Sequence, residues 1–231
     1  MDSRRLERSR LVRVLVVAAH PDDETIGAGG TIARHVAQGD QVYWGIVTQG
    51  YEPFRTEREL AAARAQVIDV QRVLGIKEVF FCGLPTVKLN TVPYRTLSSA
   101  LQRIIDEVHP GIVYTTPPSD INQDHRLVYD STLVATRPLP GCSVRRLLSY
   151  EIGPTARFGL PAGSSAFEPN VFVDISAHLD KKLEAMRCYR TQLREPPHPR
   201  SLEGLRLLAE ERGLSVGLRA AECFRLVREL L

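Results

Sequence analysis

His20-Pro21-Asp22-Asp23-Glu24 packs one imidazole and three carboxylates into a single short stretch, and far downstream Asp120, Asn122, Asp124 and His125 form a second such cluster. Nitrogen and oxygen donors of these types hold catalytic divalent ions, with three protein ligands and one position left for water. His20 and Asp23 are close enough in the chain for one tight turn to aim both at one ion. The third ligand has to come from elsewhere, and His125 is the best candidate. Zinc is the favoured ion, although a His, His, Asp set accepts other divalent metals. Adjacent carboxylates in such a turn rarely both bind one ion, so Asp22 is left for proton transfer. A carboxylate there can take a proton from a water acidified by the metal as it attacks a carbonyl. The bland alternative is a turn with an aspartate helix cap. A second acidic, histidine-bearing loop at the equivalent end of another strand weighs against it. Asp124 is expected to orient a neighbouring catalytic or ligand side chain. Asp120 either does the same or closes an Asx turn.

These residues need a scaffold that brings two distant loops together. Residues 12–19 are valine-rich and almost continuously apolar, as in a strand buried on both faces. Residues 25–36 then read as a helix opened by small residues, and 41–47 as a second strand. Helices are expected at Glu57–Leu74, Tyr94–Val108 and 127–136, and strands at 78–81, 111–115 and 146–152. This alternation predicts an α/β fold: a three-layer, Rossmann-like, mostly parallel sheet with helices on both faces. In such sheets ligands bind beyond the carboxyl ends of the strands, where His20, Thr48 and the 117–124 loop fall. From about residue 154 the composition shifts to Gly, Pro and Ser. A strand at 172–175 and helices at 180–193, 202–212 and 219–230 are expected to form a C-terminal helical extension packed on the main sheet, within one domain spanning 1–231.

Ala19-His20-Pro21-Asp22-Asp23-Glu24, followed by Ile26-Gly27-Ala28-Gly29-Gly30, closely resembles the opening motif of the PIG-L/LmbE-like zinc deacetylases. Asp120-Ile121-Asn122-Gln123-Asp124-His125 is similar to that family's second motif, and Val47-Thr48-Gln49-Gly50 to its second strand ending. The likeness continues through Lys181-Lys182, Tyr189-Arg190-Thr191-Gln192, Arg212-Gly213 and Ala221-Glu222-Cys223-Phe224, so it covers nearly the whole chain. It implies hydrolysis of an N-acetylglucosamine-type substrate to free amine and acetate. It also implies zinc on His20, Asp23 and His125, with Asp22 as general base. Many members of that family carry a histidine where this chain has Asn122. An asparagine cannot be a general acid but can donate a hydrogen bond to an oxyanion. The missing acid is then Asp22 returning its own proton, or His198 folding over the site from the proline-rich break. Glu24 caps the helix or touches substrate. Arg64 stands where relatives often carry an arginine facing the site, whereas Gln66 replaces their glutamate. Tyr51, Glu151 and the 154–169 loop are candidates to line a sugar pocket. The resemblance also admits a homo-oligomer.

Composition narrows the remaining classes. The formal charge is +3 and the pI about 8.7, with 43% hydrophobic residues. That balance is too mild for a nucleic-acid binder, and the one arginine-dense run, at 4–13, reads as a solvated tail. The four cysteines lie far apart without a C-x-x-C pair, so buried free thiols are expected. No signal peptide or membrane span is visible, which points to the cytoplasm. A dinucleotide-binding protein is disfavoured, because the glycines after the first strand do not fit G-x-G-x-x-G and acidic residues precede them. The remaining rival is a non-catalytic metal-binding scaffold.

Overall fold

A computed structural model of the chain describes residues 11–153 and 166–231. Seven strands form one sheet in the order β3-β2-β1-β4-β5-β7-β6. The strands are β1 (Arg13–Ala18), β2 (Gln41–Gln49), β3 (Glu78–Pro85), β4 (Ile112–Thr115), β5 (Arg146–Tyr150), β6 (Val171–Asp174) and β7 (Ala221–Glu229). Between them run helices α1 (Asp23–Ala37), α2 (Glu57–Leu74), α3 (Tyr94–Val108), α4 (Gln123–Ala135), α5 (Leu179–Cys188) and α6 (Leu202–Leu214). The pairs β1–β2, β1–β4, β2–β3 and β4–β5 are parallel. The expected mostly parallel, three-layer fold is therefore present.

The unbroken apolar character of β1 follows from its place in the middle of the sheet. Val14 and Val16 belong to a core shared with α1, α2, α5 and α6. Leu15 and Val17, on the opposite face, belong to a second core shared with α3 and α4. Successive side chains of a strand point to opposite faces, so a strand covered on both sides has to be apolar at every position. The chain runs from β1 outward to β2 and β3, then returns to add β4 and β5 on the other side of β1. The gap between the carboxyl ends of β1 and β4 is thus the switch point of the sheet, where open α/β folds place their ligands.

The C-terminal third departs from the expected helices in one segment. Residues 219–230, expected as a helix, are β7, which pairs antiparallel with both β5 and β6. Glu222, Arg225 and Arg228 suggest a helical period, but Cys223 and Phe224 are buried and the backbone pairs on both sides. Pairing with two neighbours outweighs the local pattern. Helix α5 also ends earlier than expected, and the chain turns at Tyr189. Helix α4 starts earlier than expected, so Asp124 and His125 sit on its first turn. All four cysteines are free, but only Cys223 is fully buried. Among the described residues no helix is long and apolar enough to cross a membrane. The arginine-rich run up to residue 10 and the loop at 154–165 lie outside the described residues.

Helix α1 tolerates several glycines because its neighbours press against it. A Cβ on Gly30 would lie 2.8 Å from the Ile175 side chain, and one on Gly27 would meet the Tyr150 ring closer still. Overpacking of this kind costs about 1–3 kcal/mol, more than the ~1 kcal/mol that alanine returns in helix propensity. Gly30→Ala should therefore lower the urea midpoint with an unchanged m-value, read by equilibrium denaturation. An unchanged midpoint would mean that α1 can retreat from Ile175 at no cost.

Candidate active site

Chain order and register bring the two clusters together at the switch point. β1 ends at Ala18 and the chain turns through His20-Pro21-Asp22 into α1. β4 ends at Thr115, and Thr116 Oγ1 donates to the His125 carbonyl (2.7 Å), tying the start of α4 to the strand end. His20 Nδ1 then lies 3.2 Å from His125 Nε2. Asp23 Oδ2 lies 3.4 Å from His20 Nδ1, and its Oδ1 lies 3.4 Å from His125 Nε2. Three donors at the corners of a tetrahedron with arms of ~2.0–2.1 Å stand about 3.3 Å apart. Nitrogen, nitrogen and carboxylate oxygen at these spacings fit a divalent ion such as zinc, and among the described residues these three form the cluster able to hold one.

The nitrogens facing away from this cluster are fixed by carboxylates. Asp124 Oδ2 lies 3.0 Å from His20 Nε2, and Asp120 Oδ2 lies 2.8 Å from His125 Nδ1. Such partners set the tautomer and ring orientation of a metal-ligating histidine. Asp120 does both jobs weighed for it, because its Oδ1 also accepts from the Asn122 backbone N–H at 2.8 Å. Asp124 is 2% exposed and also accepts from the Val87 N–H at 2.6 Å. It touches His20 from behind and does not line the cavity, so it orients that ring and has no direct contact with a bound substrate.

Asn122 caps α4, with its Oδ1 accepting from the Asp124 N–H at 3.0 Å. The cap fixes the amide orientation, leaving the NH2 with no hydrogen bond to the described residues. Asn122 lines a cavity of about 810 Å³ that also takes in His20, Asp22 and His125. An unused amide donor beside the ion position is what an oxyanion would require.

A scan against family profiles matches residues 15–136 to PIG-L, GlcNAc-PI de-N-acetylase. The chain belongs to the PIG-L family. A probable N-acetyl-alpha-D-glucosaminyl L-malate deacetylase 2 from Bacillus cereus is 27% identical over 188 residues, covering 78% of this chain and 83% of that protein. The N,N'-diacetylchitobiose deacetylase of Pyrococcus horikoshii superposes with a TM-score of 0.74 at 26% identity, covering 93% of this chain and 83% of that one. The 4-carboxy-2-hydroxymuconate hydratase GalB of Pseudomonas putida also superposes, with a TM-score of 0.73 at 20% identity, covering 96% and 98%. This likeness shows the fold alone, so the PIG-L assignment rests on the sequence match and the motif residues.

The other expected PIG-L site residues are distributed unevenly. Arg64 lines the cavity, its guanidinium 4.3 Å from the centre of the Phe81 ring. Gln66 does not; its Oε1 accepts from the Thr191 N–H and hydroxyl. Glu24 is corrected as a substrate contact. It is 0% exposed, and Tyr189, Thr25 and the Asp22 N–H occupy its carboxylate. His198 is corrected too. Its Nδ1 accepts from the Arg200 N–H at 3.0 Å, inside its own turn, and it is absent from the cavity wall. The proline-rich break does reach the site, but it delivers Arg200, whose Nη1 lies 3.3 Å from Asp22 Oδ2. Nothing in the sequence spacing singles out Arg200, since only the fold returns the segment after α5 to the end of β1. Tyr51 stacks edge-on against Phe54, and Glu151 pairs with Arg212; neither lines the cavity.

Charge is concentrated here. Burial first, then the Asp23 and Glu24 charges, push the Asp22 pKa up to about 8, against the pull of Arg200. Burial disfavours a charged carboxylate at Asp23, but the His125 and His20 imidazoles outweigh it and hold its pKa well below the usual range. Burial would lower His20 and His125, yet the carboxylates of Asp124 and Asp23 raise the first to about 10, and those of Asp23 and Asp120 raise the second to about 9. The 3.2 Å contact between the rings has room for one proton, so the metal-free pair carries one extra proton near neutrality. Metal ligation needs both facing nitrogens bare, so binding releases that proton. Divalent-metal affinity should therefore rise with pH from pH 6 upward, about tenfold per pH unit while the pair keeps that proton. Calorimetry in buffers of different ionisation heat checks this; proton release near zero would contradict it.

Proposed function

We propose that the chain hydrolyses the N-acetyl amide of an N-acetylglucosamine-type sugar conjugate, with zinc held by His20, Asp23 and His125. The carrying observation is that a carboxylate outside the ligand set, Asp22, faces the same cavity as the three ligands. When bound, the ion supplies Lewis acidity toward the acetyl carbonyl and acidifies an attacking water. Asp22 accepts the water proton as the oxygen adds to the carbonyl carbon. Asn122 donates its free amide N–H to the developing oxyanion. The C–N bond then breaks, and the proton held on Asp22 passes to the leaving nitrogen, giving acetate and a free amine. With His198 turned away, Asp22 is, among the described residues, the proton carrier adjoining the three ligands, and it can serve as acid as well as base. A single carboxylate serves both steps if its pKa lies near the working pH. The Asp22 pKa, pushed up to about 8 against the pull of Arg200, supports that assignment.

The cavity of about 810 Å³ lies toward the upper end of the ~300–1,000 Å³ range for small-molecule sites. A lone amino sugar would leave much of it empty, which favours a conjugate whose appended group lies along α2, near Arg64 and Leu60. A nucleotide-binding reading fails on charge, since Asp23 and Glu24 occupy the helix N-terminus that a phosphate would need.

Amine release from a panel of N-acetylglucosaminides should depend on added zinc and vanish with chelator. Asp22→Asn should keep the metal, by elemental analysis, and lose about 10²–10⁴-fold in kcat. Undiminished turnover would overturn the base assignment, and a panel with no amine released would overturn the reaction.

A further inference from the structure

Asp22 occupies a backbone conformation that L-residues avoid, with φ 111° and ψ −28°. It is the residue between the strand end and the first turn of α1, and the rotation there turns Asp22 and Asp23 toward different tasks. A non-glycine residue at such a φ persists only where its surroundings hold it, and strain of this kind gathers at functional sites. The holder is identifiable. Glu24 Oε2 accepts from the Asp22 backbone N–H at 3.2 Å. Its other oxygen accepts from the Tyr189 hydroxyl at 2.6 Å and from Thr25 Oγ1 at 3.0 Å. Glu24 and Tyr189 are 0% and 1% exposed, and neither lines the cavity. Leaving a fully buried carboxylate at this spot is expensive unless each oxygen is satisfied, and here each one is.

We infer that Tyr189, acting through Glu24, is a positioning residue for Asp22: the hydroxyl aims the buried carboxylate, and the carboxylate clamps the strained peptide that presents the Asp22 side chain to the cavity. The inference rests on the reading of Asp22 as proton carrier. It assigns a role in the reaction to Tyr189, which follows α5 and lies far along the chain from both metal-binding loops. A purely structural tyrosine would affect stability wherever Asp22 pointed. A positioning one acts on the chemical step and has no effect once Asp22 has lost its function.

The test uses zinc-loaded full-length protein and the N-acetylglucosaminide that the panel finds most active. Tyr189→Phe keeps the buried ring and removes only the hydroxyl. It should retain the parent zinc content and KM while kcat falls about 10–100-fold, the loss typical when a group orienting an active residue is removed. Glu24→Gln, whose amide oxygen can still accept from the Asp22 N–H, should keep part of the activity that Glu24→Leu loses. In an Asp22→Asn background Tyr189→Phe should cost nothing further in kcat. Crystal structures of the zinc-loaded variants give a readout independent of turnover: Asp22 should leave its positive φ, or its carboxylate should swing away, in Glu24→Leu. An unchanged kcat in Tyr189→Phe, a further loss in the double variant, or an unmoved Asp22 in Glu24→Leu would each overturn the assignment. Should the parent release no amine from any conjugate, the proposed function falls, and the crystallographic comparison alone decides the positioning role.

Discussion

Four aspartates, 22, 23, 120 and 124, crowd around two imidazoles, and each is buried to within a few per cent. Carboxylates so placed repel one another and lose their hydration, so the arrangement needs positive charge at its centre. Without an ion, the imidazoles provide it by holding a proton more tightly than usual. A divalent cation meets the same demand at the point where Nδ1, Nε2 and a carboxylate oxygen already converge. Metal affinity and the strained carboxylate cluster thus have one electrostatic cause, which the fold sustains by keeping the cluster buried.

The N-terminal motif does not hold its own shape. Segments from the C-terminal third grip α1 and the turn before it at three heights. Lys182 Nζ donates to the Ile26 carbonyl and to Glu222, whose oxygens accept from the Gly30 and Thr31 N–H groups. Tyr189 reaches Glu24 one turn earlier, and Arg200 reaches Asp22 at the start. The ion pair of Lys182 and Glu222 is buried, so losing either partner would strand a charge in the core. This explains why the family-like residues after α4 accompany the metal motifs although none of them touches the ion position. The glycines of α1 belong to the same arrangement, since they let Tyr150 and Ile175 approach closely enough for β7 and α5 to reach the helix.

The sheet and the convergence of His20, Asp23 and His125 were legible in the sequence because each rests on a local signal. Residues 12–19 had to be a doubly covered strand, and His20, Asp22 and Asp23 had to emerge at its end. His125 was readable because it closes a second acidic cluster at another strand end. What failed depended on contacts between segments far apart in the chain. The 219–230 stretch looks helical in isolation and becomes β7 only because β5 and β6 lie ready to pair with it. His198 and Arg200 are two residues apart in one turn. Imidazole chemistry favoured the first, yet the backbone of that turn consumes its Nδ1 and sends the guanidinium to Asp22.

Asn122 ties these strands of argument together. A histidine at this place would bring a second titrating group to the reaction; the asparagine brings a fixed donor whose oxygen is spent on capping α4. In the proposed mechanism the proton traffic then falls on one carboxylate, and that carboxylate's direction matters more than it would in a site with separate acid and base. A carboxylate serving both proton steps has to point at the incoming water and at the departing nitrogen without leaving its place. The positive φ at Asp22, the Glu24 clamp on its peptide and the Arg200 contact on its oxygen all restrict that direction. The loss of a second acid and the unusual restraint on Asp22 are, on this reading, two sides of one chemical requirement.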